Sequence, residues 1–378
     1  MKTAAALVAE IPDASVWEGV NTLLETYAQV KPDDNIIIAY TPDSREPAAW
    51  VVTALRARNI EPQLVSMRPL RDTGFFERLN SAVPSPDELS GRLVILTFER
   101  DTMSHNSSIR TALAPFDPER CKVIRAMNAG PELFSLGFRI PPEDLSARNT
   151  AILQRCMTAE HLRVESPAGT KLKVHLDNSR FRWVSNRGMW RPGKFVILPA
   201  GEVATFPESI SGILVADFAI NVNTIMDQDA RLTHAPVTAQ IAQGQLVDYE
   251  CDDPIISQFL SECFARKNSR HVGELGFGTN FGIDAPISLN SHINERRPGV
   301  HLGFGQHNQT DTLAGYSCDI HIDLIARGGR IWVDDAQAPI DLENLTPSAQ
   351  DHPVVYQDED VFSEELDGGD CCGILKSS

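Results

Sequence analysis

The sequence has no CxxC pair, no glycine-rich phosphate loop behind any of its apolar runs, and no uninterrupted apolar stretch of membrane length. Each absence closes off a class of protein. A bilayer span needs roughly 18–20 apolar residues in a row. A nucleotide site of the GxGxxG or P-loop kind needs backbone amides to cradle phosphate. The seven cysteines, at 121, 156, 251, 263, 318, 371 and 372, are odd in number and widely spaced, which is not a disulfide framework. Positive charge is also scarce: 34 Lys and Arg stand against 51 Asp and Glu, a net −17. Such a chain repels nucleic acid and anionic membranes, so neither is an expected partner. The opening "MKTAAALVAEIPD" carries a single lysine, and Glu10 interrupts its apolar run, so no secretory signal is expected. A reducing cytoplasm is the expected compartment.

What is present reads as soluble and globular. Hydrophobic residues make up 42% and charged residues 22% of 378 positions, enough chain for two domains. The fold class expected is α/β: an N-terminal wound α/β domain over 1–150, a mainly β metal-binding domain over 151–345, and an acidic flexible tail over 346–378. In the first part, "NIIIAY", "PQLVSM", "RLVILTF" and "CKVIRAM" are short apolar runs suited to buried strands. Between the first two, "AAWVVTALRARNI" has helical spacing at Val51, Leu55 and Ile60. Met103, His105 and Asn106 form a loop that either meets a ligand or is plain surface. "PEDLSARNTAILQRCMTAEHL" (142–162) predicts a linking helix. Beyond it, "LRVESPAGTKLKVHLD" alternates about a turn and predicts a hairpin. "DPIISQFLSECFARK" (253–267) predicts a helix capped by Asp252 or Asp253. Gly328-Gly329 suits a tight hairpin turn. The tail ends in "GGDCCGILKSS", whose Cys371 and Cys372 do not stand where a prenylation signal needs them.

One segment carries chemistry in its spacing. In "CDIHIDLI" (318–325), Asp319, His321 and Asp323 alternate with Ile320, Ile322 and Leu324. Side chains along a strand point to opposite faces, so these three polar groups share one. Two titratable groups buried on one face demand a partner, and a metal ion is one. Glu202 in "LPAGEV", Glu274 in "GELGFGTN" and His301 opening "HLGFGQH" offer further donors. Taken singly, each is a solvated turn residue or a core histidine.

Together, "SPAGTKLKVHL" (166–176), "LPAGEVATFPES" (198–209), "GELGFGTN" (273–280), "HLGFG" (301–305) and "SCDIHIDLI" (317–325) occur in the order found in a known family. Over roughly residues 150–340 the chain resembles metallopeptidases of the aminopeptidase T/aminopeptidase S type, a family that also includes 2,5-dihydroxypyridine 5,6-dioxygenase-like proteins. The peptidase resemblance implies two Zn, Co or Mn ions held by two glutamates, two histidines, an aspartate and a tyrosine. Carried over by motif, the metal ligands are Glu202, Glu274, His301, His321 and Asp323. It also implies a homodimer. The tyrosine's place beyond His301 holds "GQHNQ", with His307 and Asn308.

Two reactions follow from this resemblance. A hydrolase acting on a small peptide or amide uses two ions to lower the pKa of water from about 15.7 toward roughly 7. Glu202 is then the candidate base or bridging group and Glu274 the bridging ligand. His301, His321 and Asp323 are terminal ligands, with Asp319 or a backbone carbonyl behind an imidazole. A ring-cleaving dioxygenase instead holds one Fe(II) by two histidines and an aspartate. His321 and Asp323 would be joined there by His271 or His301. A third reading is a non-catalytic peptide- or partner-binding protein on the same fold. Phe277, Phe281 and the loop 290–300 are candidate pocket walls, with Arg296 or Arg297 to hold a substrate carboxylate.

Overall fold

The structure is a computed structural model; it describes residues 13–354 except 70, 101, 102, 225 and 227, together with the backbone of 357 and 358. The first layer is a five-stranded parallel sheet. Its order is β2 (Gln63–Ser66), β1 (Asn35–Tyr40), β3 (Leu93–Phe98), β4 (Cys121–Ala126) and β8 (Phe195–Leu198). Residues of α1 (Ala14–Thr22) and α2 (Arg45–Arg56) pack with Ile36, Ile38, Val94 and Leu96 on one face. Residues of α3 (Phe75–Ala82) and α4 (Asn106–Leu113) pack with Ile37, Ile95 and Val123 on the other. Strands covered on both faces need no alternation, so β1 and β3 read as nearly continuous apolar runs, while β4 also buries Lys122 and Arg125. β8 comes from beyond residue 150. The chain therefore returns to this sheet after the linking helix α5 (Pro142–Cys156), which stops short of the predicted 162 because His161 and Leu162 pair into a strand.

Two seven-stranded sheets make up the rest. The outer one runs β13 (Gln245–Glu250), β12 (Val237–Ala242), β10 (Ser209–Ala216), β6 (Lys171–His175), β5 (His161–Glu165), β17 (Arg330–Val333) and β18 (Ile340–Asp341). The inner one runs β11 (Ala219–Val222), β16 (His321–Ile325), β15 (Gly299–Gly305), β14 (Val272–Gly278), β9 (Glu202–Thr205), β7 (Val184–Asn186) and β19 (Gln357–Asp358). β5 and β6 form the expected hairpin. α6 (Pro254–Phe264) is capped by Asp253, whose carboxylate accepts from the Ile255 and Ile256 amides. The two sheets share one core, with Leu275, Phe277, Leu302, Phe304, Ile322 and Leu324 of the inner sheet meeting Leu162, Val164, Leu172 and Ile210 of the outer. The opposite face of the inner sheet is left for polar work.

Gly328-Gly329 is not a hairpin turn. β16 lies in the inner sheet and β17 in the outer, so the glycines, both at positive φ, carry the chain from one sheet to the other. Residues 346–354 run along α5: the Ser348 amide donates to Ala147 O at 2.9 Å, and His352 Nε2 meets Ser185 Oγ at 2.9 Å. Gln357 and Asp358 pair with β7, and Cys371, Cys372 and the rest of the tail beyond 358 lie outside the described residues.

Candidate metal centre

Strand alternation puts Glu274, Gly276 and Gly278 of β14, His301, Gly303 and Gly305 of β15, and His321 and Asp323 of β16 on the polar face. Register then aligns Asn221, Asp323, Gly303 and Glu274 in one row across four strands. His301 lies opposite Gly276. The glycines make room. A Cβ on Gly276 would stand 2.0 Å from His301 Nε2, and one on Gly303 would stand 2.6 Å from His321 Cε1 and 2.9 Å from Glu274 Cβ. The repeated "LGFG" thus buries Phe277 and Phe304 on the core side and leaves a floor without side chains beneath the donors.

All five candidate ligands converge here. Glu202, Glu274 and His301 bring one donor atom each within 4.8 Å of one another, and so do Glu274, His321 and Asp323. Glu274 belongs to both groups. His301 is fully buried; its Nε2 lies 2.9 Å from Glu202 Oε1 and 3.6 Å from Glu274 Oε1. The distance to Glu202 is that of a hydrogen bond, but the alignment is not, and neither ring nitrogen has a hydrogen-bond partner among the described residues. A buried imidazole crowded by carboxylates without sharing a proton is the geometry of donors aimed at a common cation. The residues fit a metal.

Charge points the same way. Four buried carboxylates, Glu202, Glu274, Glu295 and Asp323, face one buried guanidinium, Arg296, an imbalance of 4 − 1 = 3 negative charges. Protons on the histidines offset it among the side chains themselves. Burial works against a charged His321, yet the Asp323 carboxylate outweighs it and holds the imidazole up at about 10. His301 is likewise held well above the usual range, against burial, by Glu202 and Glu274. Burial pushes Asp323 up to about 7 despite His321. For Glu274, burial is overcome by His301 and His321, and its carboxyl sits below the ordinary range. A divalent cation supplies the same charge to the same atoms without those protons.

The surroundings fix the donors. His321 Nδ1 meets Gln306 O at 2.8 Å, so its orienting partner is a backbone carbonyl. Asp319 does not serve. It precedes the strand, its side chain is 68% exposed, and its carboxylate faces Arg266 at 3.6 Å. Arg296 holds no substrate carboxylate: its Nη1 bonds Glu202 Oε2 and lies 2.6 Å from Glu295 Oε1. Arg297 pairs with Glu343 at 3.0 Å. Phe277 is core, and the Phe281 ring lies 4.2 Å from the Arg148 guanidinium. His271 is in neither donor group; it stacks on Tyr316 with centroids 4.2 Å apart. Asn308 Nδ2, in the expected tyrosine's place, donates to Glu274 Oε2 at 2.8 Å. Met103 is buried, His105 Nε2 meets Arg68 O at 2.7 Å, and Asn106 bonds Arg125, so that loop is structural.

Sequence reasoning missed Asn221, His292 and Glu295. Asn221 Nδ2 donates to Glu295 Oε2 at 2.9 Å and Asp323 Oδ2 at 3.2 Å. His292 and Glu295 stand three apart in "HINER", on α7 (His292–Arg296), and the capping serine before them was the available signal.

A wound α/β layer joined to a β-sandwich carries a buried cluster of carboxylates and imidazoles that suits a metal-dependent enzyme. Comparisons with known proteins agree with that class. The family model described as 2,5-dihydroxypyridine 5,6-dioxygenase matches residues 120–284, which include Glu202 and Glu274 and end before His301. The fold is similar to that of 2,5-dihydroxypyridine dioxygenase from Pseudomonas putida KT2440, at 15% identity and TM-score 0.59, over 87% of this chain and 96% of that one. It is also similar to wild-type AmpT from Thermus thermophilus, at 12% identity and TM-score 0.52, over 86% of this chain and 97% of that one. No curated protein matches the chain. The resemblance drawn from the sequence motifs thus fits on both sides, and a metalloenzyme is supported without choosing its reaction.

Proposed function

We propose that the protein is a metal-dependent hydrolase that cleaves a small peptide or amide. The observation that supports this most is Glu274, shared by two three-residue donor groups. Glu274 would stand between the two donor groups, where two-metal hydrolysis would place a shared ligand. Two divalent cations and one hydroxide would also neutralise the three excess negative charges of the buried cluster. Bound there, the ions supply a water acidic enough to react near neutral pH and polarise the scissile carbonyl. Glu202 and His301 would hold one, His321 and Asp323 the other. Because Arg296 occupies Glu202 Oε2, that carboxylate reads as a fixed ligand and not as the base. The same reading carries a homodimer as the assembly and the cytoplasm as the compartment.

A second reading, the Fe(II) ring-cleaving dioxygenase, draws on the family model over 120–284 and on the His321–Asp323 pair at 2.9 Å. It needs a second histidine beside that pair. His271 is in neither donor group, and His301 joins Glu202 and Glu274 instead. Metal analysis of protein purified without chelators, with a paired screen of peptides and dihydroxypyridines, separates the readings. About two Zn, Mn or Co ions per chain with release of N-terminal residues is expected. One Fe(II) with oxygen uptake on the heteroaromatic would overturn the proposal.

A further inference from the structure

The loop that follows β15 reaches Glu274 through a chain of side-chain amides. Gln309 lies along the backbone of Arg182: the Arg182 amide donates to Gln309 Oε1 at 3.2 Å, and Gln309 Nε2 donates to Arg182 O at 3.1 Å. A backbone N–H only donates and a carbonyl only accepts, so these two contacts decide which end of the Gln309 side chain is oxygen and which is nitrogen. The second proton of Nε2 goes to Asn308 Oδ1 at 2.8 Å. That leaves Nδ2 of Asn308 turned to Glu274, where it donates to Oε2 at 2.8 Å. Both amides are buried, so neither turns over without stranding a donor or an acceptor. The far end of the chain is tied to β9, the strand that opens with Glu202: Thr205 Oγ1 donates to Arg182 O at 3.2 Å. The same loop supplies Gln306 O, which meets His321 Nδ1 at 2.8 Å. One short segment, 306–309, therefore holds two members of the donor group Glu274, His321 and Asp323.

A hydrogen bond to one oxygen of a ligating carboxylate orients it and settles which oxygen faces the metal. We infer that Asn308 is a positioning residue of this centre: it occupies Glu274 Oε2, so that Glu274 offers a cation Oε1 alone, the oxygen 3.6 Å from His301 Nε2. Gln309 sets the sense of the Asn308 amide and acts through it. With both oxygens free, Glu274 could close on one ion as a chelate and fill a position that water or substrate needs. With Oε2 held, that position stays open. The donor is neutral, so it leaves the three excess negative charges of the cluster for a cation to balance. Arg296 does the same for Glu202 Oε2 with a charged group. The inference rests on the metal centre that underlies the proposed hydrolase and states how its shared carboxylate binds.

The test uses the full chain, stripped of metal and titrated with Co(II), whose visible spectrum reports its coordination. Asn308→Leu removes the donor and should weaken Co(II) binding about 10–100-fold. Its visible bands should also lose intensity, as Glu274 closes on the ion with both oxygens and raises the coordination number. A side chain that merely filled space would leave that spectrum unmoved. Gln309→Met touches no ligand and keeps the size of the side chain, but nothing then sets the sense of the Asn308 amide. Its bands should lose intensity in the same direction. Melting curves of the stripped variants show which of them fold. Wild-type affinity and spectrum in folded Asn308→Leu, or in Gln309→Met where that variant alone folds, overturns the inference and leaves the hydrolase reading intact. A wild type that binds neither Co(II) nor Zn overturns both.

Discussion

Gly276 faces His301 across two strands, and the whole imidazole lies where its side chain would be. Gly276→Ala should therefore displace His301 before it unfolds the sheet. The expected cost is about 1–3 kcal/mol in urea denaturation, with the metal content of the purified protein falling by about half or more. Full occupancy in that variant would mean His301 is not a ligand. Protonation gives a second test. An imidazole ordinarily titrates at 6.5, and Asp323 holds His321 up to about 10. A raised pKa stabilises the fold fully below 6.5, and that stability is lost as pH rises through about 10. Asp323, raised from 3.8 to about 7, adds a loss of the same sign at lower pH, largely complete by pH 7. Metal-stripped protein should thus melt at falling temperature from pH 7 to 10, and added Zn or Mn should raise the melting point more at the upper end, because ions and protons compete for the same atoms. A flat melting profile after stripping would contradict the charge balance described for the centre. At this scale the candidates His321 and Asp323 were legible because titratable residues at every second position of an otherwise apolar strand are costly to bury without a partner, whereas Glu202, Glu274 and His301 came from the resemblance. Asn221, Glu295 and the fixing role of Arg296 were not, since their meaning lies in register between strands far apart in the chain.

Among the elements, α5 sets the position of β9. Its buried Asn149 donates through Nδ2 to Ser185 Oγ, Asn186 O and Glu202 O at 3.0, 3.2 and 2.9 Å, and its Oδ1 accepts from Thr279 at 2.6 Å. Asn149→Ala strands these groups in the core, at a cost of roughly 2–4 kcal/mol. It should also loosen the backbone of Glu202, so metal affinity should fall along with the denaturation midpoint. Unchanged metal affinity in a destabilised variant would separate α5 from the centre. Helix and strand runs were readable from periodicity, including the Asp253 cap and the β5–β6 hairpin. The end of α5 was not, because nothing local in "CMTAEHL" stops a helix; pairing of β5 with β6 and β17 does. Nor was the destination of Gly328-Gly329, since two glycines license a turn without saying which sheet receives the next strand.

For the whole molecule, the parallel sheet takes its last strand from beyond residue 150. β8 is buried along its length against β4, and only residues 199–201 separate it from Glu202, which begins β9. A fragment starting at 151 would expose β8 as an unpaired apolar edge and should be insoluble on expression, whereas the full chain covers that edge with β4. A folded, metal-binding fragment would show that the parallel sheet is dispensable to the centre. The apolar run "FVIL" announced a buried strand but not its sheet, because composition records burial on both faces and not the identity of the neighbour.

The late arrival of β8 also sets a clock. Its partner β4 ends at Ala126, and β8 ends at Leu198, 198 − 126 = 72 residues later. At about 5–20 residues per second of synthesis, that interval is roughly 4–15 s. Throughout it the nascent sheet presents the bare edge of β4 to the cell. The protein therefore depends, once in each lifetime, on whatever shelters that edge until its last strand leaves the ribosome.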